Sequence, residues 1–297
     1  MPEVSIIIPT YNSAQYLTDA VDSVLCQTFG DFEVLVIDDG STDDTESVMR
    51  PYNAAVRYVC QQNRGVAAAR NRGITESRGR YVAFLDADDT WLPDKLERQI
   101  AALRARPDNR FCYTAFTLVT SDLSPLEIVR SKRRGPALED LLLRGNVVGS
   151  ICTVLCERSL FETSGGFDPG LSQCADWDMW VRLAVLTEFL YLDQPTVTYR
   201  QHGSNMSRNA PLLEQDSLRV LKKGFGLPEV PNSLRAMQRI AFARNDMVLA
   251  GTYFHAGLYT DFLRCAARSV SMDFRQVGYL AGFPMRIMKR ARPRQAN

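Results

Sequence analysis

Two histidines in 297 residues, no Gly-x-Gly-x-x-Gly loop, no Gly-x-x-x-x-Gly-Lys-Ser/Thr loop and no long apolar run are the informative gaps in this sequence. Without the glycine loops there is no ready-made phosphate nest, which disfavours dinucleotide oxidoreductases and P-loop NTPases. No apolar stretch reaches the roughly 18 residues that a membrane-spanning helix needs. An excess of one charge is missing as well: Lys+Arg is 35 against Asp+Glu 34, so a nucleic-acid partner is not expected. The seven cysteines show no metal-ligand spacing and read as buried, reduced thiols of a cytoplasmic protein. The N-terminus has no basic n-region and only a short Ile cluster, so no signal peptide is expected. Apolar residues make up 45% and charged residues 23%, ordinary for a folded soluble chain of about two domains.

What is present alternates between two periods. Val4–Ile8, Phe32–Ile37, Val56–Cys60, Tyr81–Leu85 and Phe111–Val119 are apolar, β-branched or aromatic runs that read as strands. Helical spacing fills the gaps, over Tyr16–Leu25, from Thr42 or Asp43 to Arg50, over Val66–Glu76, from Pro93 to Arg104 and over Ala175–Thr187. This pattern predicts an α/β fold, a Rossmann-like, mostly parallel sheet with helices on both faces. Past Pro211 the pattern is helical, with breaks expected near Pro228, Pro231 and Gly251. The division that follows is 1–208 as an α/β domain and 209–297 as a helical C-terminal region.

In an open parallel sheet, ligands bind beyond the carboxyl ends of the strands. There the sequence places Thr10, Tyr11 and Asn12 after the first strand and Asp38 and Asp39 after the second. Asp86, Asp88 and Asp89 follow the fourth. Carboxylates crowded on one rim repel unless a cation or a donor-rich ligand lies among them. An acidic site that must hold phosphate needs a bridging Mn²⁺ or Mg²⁺. In an extended Asp86-Ala-Asp88, one carboxylate can hold that metal while the other accepts from a ribose hydroxyl.

Four stretches carry a resemblance: Ser5-Ile-Ile-Ile-Pro-Thr-Tyr-Asn12, Val36-Ile-Asp-Asp-Gly-Ser-Thr-Asp43, Asn63-Arg-Gly-Val-Ala-Ala-Ala-Arg-Asn-Arg-Gly73 and Phe84-Leu-Asp-Ala-Asp-Asp89. With Gly165-Gly-Phe-Asp168, Asp176-Trp-Asp-Met-Trp180 and Tyr199-Arg-Gln-His202, they resemble the family 2 inverting glycosyltransferases of the GT-A fold. The resemblance implies a donor half over 1–106 and an acceptor half over 107–208. Thr10, Tyr11 and Asp39 would hold the nucleoside, Asp86 the ribose, and Arg70 or Arg64 the nucleotide. Asp88 would ligate the Mn²⁺ or Mg²⁺, with His202 closing over metal or diphosphate. Asp176 would be the catalytic base. The family usually has two acids before this Trp, and Ala175 stands in place of the first.

The implied donor is a nucleoside-diphosphate sugar, most simply UDP-linked because Asp39 suits a uracil-type imide N–H. The implied acceptor is a saccharide or lipid-linked saccharide. From Arg275 to Asn297 there are six basic residues and no acidic one. Val277, Leu280, Phe283, Ile287 and Met288 can share a helical face there, so peripheral contact with the inner face of a membrane through residues 275–297 is a further expectation. Trp91 and Trp180 could line a sugar subsite or pack in the core, and His255 reads as core. The rival readings are a non-catalytic sugar-nucleotide binder and a haloacid-dehalogenase-like phosphatase using Asp86 as nucleophile.

Overall fold

The unbroken Val4–Thr10 run forms β1, buried along its length, as expected of a strand covered on both faces. The computed structural model describes residues 1–202 and 209–282, which divide into two compact units, 1–141 with 146–202 and 142–145 with 209–282.

In the first unit β1 is followed by α1 (Ala14–Leu25), β2 (Phe32–Asp38), α2 (Thr45–Met49), β3 (Val56–Cys60), α3 (Val66–Glu76), β4 (Tyr81–Phe84) and β5 (Thr90–Trp91). Next come α4 (Lys95–Ala105), β6 (Phe111–Val119), β7 (Pro125–Val129), α5 (Ala137–Arg144, of which residues 142–144 count with the second unit), β8 (Leu155–Glu157), α6 (Arg158–Ser164), α7 (Ala175–Leu183) and β9 (Phe189–Arg200). The strands join in the order β3-β2-β1-β4-β8-β6-β9-β5, with β7 paired to β6. The β3-β2-β1-β4 part is parallel throughout, and β6 and β9 are parallel too. β8 is antiparallel to both β4 and β6 and so stitches the two parallel groups into one sheet. This is an α/β sheet of the GT-A type, mixed but mostly parallel.

Helix α3 lies close on β1: a Cβ on Gly73 would come within 2.4 Å of Ile7 Cγ2. That spacing needs a glycine. Trp91 and Trp180 are both buried, at 4% and 0% exposure, so of the two roles open to them they take core packing. Trp180 packs edge-on against Phe111 and Phe167.

The second unit consists of α8 (Ala210–Gly226), α9 (Asn232–Arg235), α10 (Gln238–His255), α11 (Tyr259–Met272) and α12 (Gln276–Ala281). Two expectations fail here. Helix α10 runs through Gly251 without a break, because its neighbours Leu249, Ala250 and Tyr253 are locked into a core with Ala210, Cys265 and Ala266. That packing outweighs a glycine's propensity cost of about 1 kcal/mol. His255 is exposed rather than core, as the last residue of α10, with its ring edge-on to Phe254. The α10 and α11 pair is also pinned by charge. Arg268 donates to both oxygens of the buried Asp246 at 2.5 Å and to Glu214 at 2.9 Å, while Arg264 holds Glu214 at 2.6 and 2.8 Å. Glu214 is pulled down to about 2, first by the Arg264 bond.

No helix among the described residues is long and apolar enough to cross a membrane. Phe283, Ile287, Met288 and the basic residues from Arg286 to Arg294 lie outside the described residues.

Candidate active site

The carboxyl ends of β1, β2 and β4 deliver their polar residues to one rim, and the rim's acids meet different fates. Asp38 is occupied internally: it accepts from Ser41 N–H (2.9 Å), Ser41 Oγ (2.6 Å) and the Tyr58 hydroxyl. Those bonds fold the Gly40-Ser41 turn rather than face a ligand. Asp39 is buried and accepts from the Gln61 side chain (2.8 Å) and the backbone N–H groups of Arg64 (2.9 Å) and Gly65 (2.7 Å). A carboxylate has about four acceptor positions, so one on Oδ2 is left for a further donor. Gly40 has φ +78°, and a Cβ there would stand 3.0 Å from Asn63 N, so glycine lets this loop lie against the Asn63 backbone. Thr10 is buried and its Oγ1 has no protein partner, whereas Tyr11 beside it is 49% exposed.

The Asp86–Asp89 segment is a turn closed by Asp89 N–H to Asp86 O (3.1 Å), not the extended strand expected from its alternation. The turn divides its three carboxylates. Asp86 takes Arg70 Nη2 at 2.7 Å. Asp88 lies 2.8 Å from His202 Nε2, through its Oδ2. Asp89 is buried, accepting from Arg200 N–H (2.9 Å) and the Cys152 thiol (3.2 Å). Burial first, and then the Asp86 carboxylate, push Asp88 above the usual carboxylate range, with His202 pulling the other way. The His202 ring is stacked on Tyr16 with centroids 5.1 Å apart, and Arg200 lies over the same Tyr16 ring while pairing with Asp19 at 2.8 Å.

Asp86, Asp89 and Cys152 also converge closely enough for a cation. The Cys152 thiol, however, is pushed well above its usual range, by burial first and then by Asp86 and Asp89. Sulfur is also a soft donor, poorly matched to a hard cation such as Mn²⁺ or Mg²⁺. The Cys152 S–H serves Asp89 and its sulfur accepts the Asp86 N–H at 3.2 Å, a closed internal network. Asp88 and His202 form the better cation pair, offering the oxygen and imidazole donors that suit Mn²⁺.

Asp176 and Asp178 both sit in the first turn of α7, and their partners separate them. Asp178 is buried and fixed by Arg182 at 2.8 and 3.0 Å, and Arg182 also holds the Ser164 and Gly166 carbonyls. Asp176 is partly exposed and takes only N–H donors: Trp177 N–H at 2.7 Å and Asn146 Nδ2 at 2.8 Å. Burial raises its affinity for a proton, the charge of Arg70 opposes that, and Asp86 adds to it. Arg70 therefore lies in the field of both Asp86 and Asp176, itself buried, with Nε unpartnered and its guanidinium 5.8 Å from the Phe167 ring. Arg64 contributes its backbone to Asp39 and keeps an exposed side chain.

Three residues of this neighbourhood escape the sequence reading. Asn71 clamps the Gly166-Phe167 loop with paired bonds to Phe167 N–H (2.7 Å) and Phe167 O (2.8 Å). Asn146 and Cys152 reach the site from the irregular segment ahead of β8. Asn71 lies inside a quoted motif, but nothing in one sequence tells which of its polar side chains spans 96 residues to a partner.

The sheet, with its acidic rim and a further carboxylate across a buried arginine, is that of a GT-A glycosyltransferase. The chain belongs to glycosyltransferase family 2: residues 5–163 match the family described as "Glycosyl transferase family 2". Among its relatives is TuaG of Bacillus subtilis, named for teichuronic acid biosynthesis, 32% identical over 70% of this chain and 82% of its own. Similar solved structures include S. aureus TarS with UDP-GlcNAc, at TM-score 0.61 and 19% identity over 92% of each chain. A Pyrobaculum calidifontis mannosyltransferase with GDP-Man and Mn²⁺ also reaches TM-score 0.61, at 19% identity over 97% of this chain and 83% of its own. Family and fold together remove the phosphatase reading of Asp86.

Proposed function

We propose that this glycosyltransferase moves a sugar from a UDP-sugar to a hydroxyl of a saccharide or lipid-linked saccharide, by a single inverting displacement with Asp176 as general base. The observation that carries the reading is Arg70, paired to Asp86 of the donor rim while its charge acts on Asp176. That one buried guanidinium links the nucleotide side of the site to a partly exposed carboxylate. On this reading Asp39 accepts a base N–H through its remaining Oδ2 position, and Asp86 accepts from the ribose. Thr10 and Tyr11 flank the nucleoside, and the unpartnered Thr10 Oγ1 and Arg70 Nε are donors that a bound nucleotide satisfies. UDP is favoured over GDP because a lone carboxylate matches the single imide N–H of uracil.

Asp88 and His202 are the residues that would hold Mn²⁺ or Mg²⁺, which when bound supplies positive charge to a departing diphosphate. In the displacement, the acceptor oxygen forms its bond to the anomeric carbon as the bond from that carbon to the diphosphate oxygen breaks. The electron pair leaves on UDP. The acceptor proton passes to the Asp176 carboxylate as attack proceeds. Base and leaving group must lie on opposite faces of the sugar, so the product's anomeric configuration is the inverse of the donor's. Proton NMR of the first product formed from an α-linked UDP-sugar is expected to show a β-anomeric signal. A retained α-anomer removes the single displacement.

The relative named for teichuronic acid biosynthesis supports cell-surface polysaccharide assembly as the setting. Membrane contact through residues 275–297 belongs to the same reading. It is supported by exposed Phe274, Val277 and Tyr279 beside a basic stretch, each basic residue adding about 1 kcal/mol near anionic lipid. Full-length protein is expected to float with phosphatidylglycerol vesicles and not with phosphatidylcholine. Failure with both removes the contact.

A further inference from the structure

Asn146 lies in the irregular segment between α5 and β8, and nothing in its local sequence marks it for chemistry. Its side chain nevertheless uses both ends. Nδ2 donates to Asp176 Oδ2 at 2.8 Å, and Oδ1 accepts the Gly149 N–H at 3.3 Å. The segment that holds it is specified by sterics. Gly149 has φ +86°, in the left-handed region, and a Cβ there would come within 2.9 Å of Phe116 Cε1. Ser150 follows and caps the next turn by accepting the Cys152 N–H at 3.2 Å. The amide of Asn146 is thus held by a constrained turn and aimed at one oxygen of Asp176. The other oxygen, Oδ1, is taken by Trp177 N–H of the same helical turn.

We infer that Asn146 is a positioning residue for the general base: it fixes the rotation of the Asp176 carboxylate and holds it in the ionised, proton-accepting form. The inference rests on the proposed role of Asp176 and goes beyond it by naming the group that sets that carboxylate's geometry. An amide N–H bond to a carboxylate favours the charged form, and an acid base-catalyst must be charged to work. The charged groups acting on Asp176 are Arg70 from α3, which supports ionisation, and Asp86 from the turn after β4, which opposes it. Asn146 is the neutral donor that sides with Arg70. Asparagine suits the task better than a cation would, because a second positive charge beside Arg70 would make the carboxylate a poorer base.

The test compares wild type with Asn146→Ala, Asn146→Asp and Asp176→Asn. The first readout is a carbon-13 titration of the Asp176 carboxyl, assigned by its absence in Asp176→Asn. In Asn146→Ala the titration midpoint is expected to move to higher pH, and further in Asn146→Asp, which adds a carboxylate. The second readout is kcat for UDP release from a UDP-sugar, with water or saccharide as acceptor, across pH. Both variants are expected to lose about 10- to 100-fold in kcat at neutral pH, the order of loss that misplacing a reacting group brings. The acidic limb should move upward, with UDP affinity and Tm near wild type. An unmoved midpoint, or a kcat loss matched by equal losses in UDP affinity and Tm, overturns the inference. If Asp176→Asn itself keeps wild-type turnover, it is the base assignment that fails, a result separable from the other two.

Discussion

Asp176→Asn is expected to lower kcat by about 10²- to 10⁴-fold, the usual contribution of a general base, while UDP affinity stays near wild type. The substitution is close to isosteric, and the asparagine oxygen can still accept from one of Asn146 and Trp177, so the first turn of α7 loses one side-chain bond and keeps the other. What goes is the proton acceptor. The neighbouring Asp178→Asn serves as the contrast, because Asp178 is committed to Arg182, which in turn ties down the Ser164 and Gly166 carbonyls. That variant is expected to lower Tm first. The pH dependence has a definite sign as well. Burial raises the proton affinity of Asp176, so the wild-type rate falls as pH drops through that raised value and the base becomes protonated. Asp176→Asn should flatten this limb. Steady-state kinetics with the donor that binds, beside UDP titrations of each variant, check all of this. Wild-type kcat in Asp176→Asn would mean that the base lies elsewhere.

The second large effect concerns stability. Lys95 is fully buried, its ammonium bonded to Gln99 Oε1 at 2.7 Å and 4.0 Å from the Trp91 ring centroid, with no carboxylate among its described partners. Burial pulls it down to about 7. In the unfolded chain a lysine titrates near 10.4, so between about pH 7 and 10 the unfolded state binds more protons and stability rises with pH. At pH 7 and below the full penalty of burying the charge applies, of order 4 kcal/mol. Lys95→Met keeps the volume and removes the titration. Its stability relative to wild type, from urea unfolding, is therefore expected to improve steadily as pH falls from 10 to 7. A constant difference across that range would mean that the ammonium is not desolvated. Because Gln99 also holds the Cys112 and Thr153 carbonyls, Gln99→Leu should be damaging at every pH.

How far the sequence can be read follows from where its contacts lie. β3 and α3 have the boundaries expected from periodicity, because each is a short unit whose apolar pattern is set by its own residues. The 3-residue β8 is not legible, since only its pairing with β4 and β6 makes Leu155–Glu157 a strand. β9 hides its length behind Asp193-Gln194-Pro195, polar and proline-broken, where the register with β6 shifts. The rim residues could be found because the strand ends announce them. Which acid does what could not, since Tyr58 and Cys152 reach Asp38 and Asp89 from distant parts of the chain, and Arg182 claims Asp178 from one helical turn further along α7. Asp38 shows the difference: adjacent to Asp39 and identical in type, it is spent on its own turn. Asn71 and Asn146 were invisible for the same reason, being ordinary amides until the fold brings a partner to them.

The most direct test is a calorimetric titration of UDP, dTDP and GDP into the full-length protein, with and without Mn²⁺, repeated on Asp88→Ala. The acidic rim with its Asp88–His202 pair predicts that a pyrimidine diphosphate binds with Mn²⁺, that GDP binds more weakly, and that affinity collapses when either the metal or the Asp88 carboxylate is removed. Binding of no nucleotide under any condition, or UDP affinity indifferent to both Mn²⁺ and Asp88→Ala, would contradict the assignment of this rim as a metal-assisted nucleotide-sugar site.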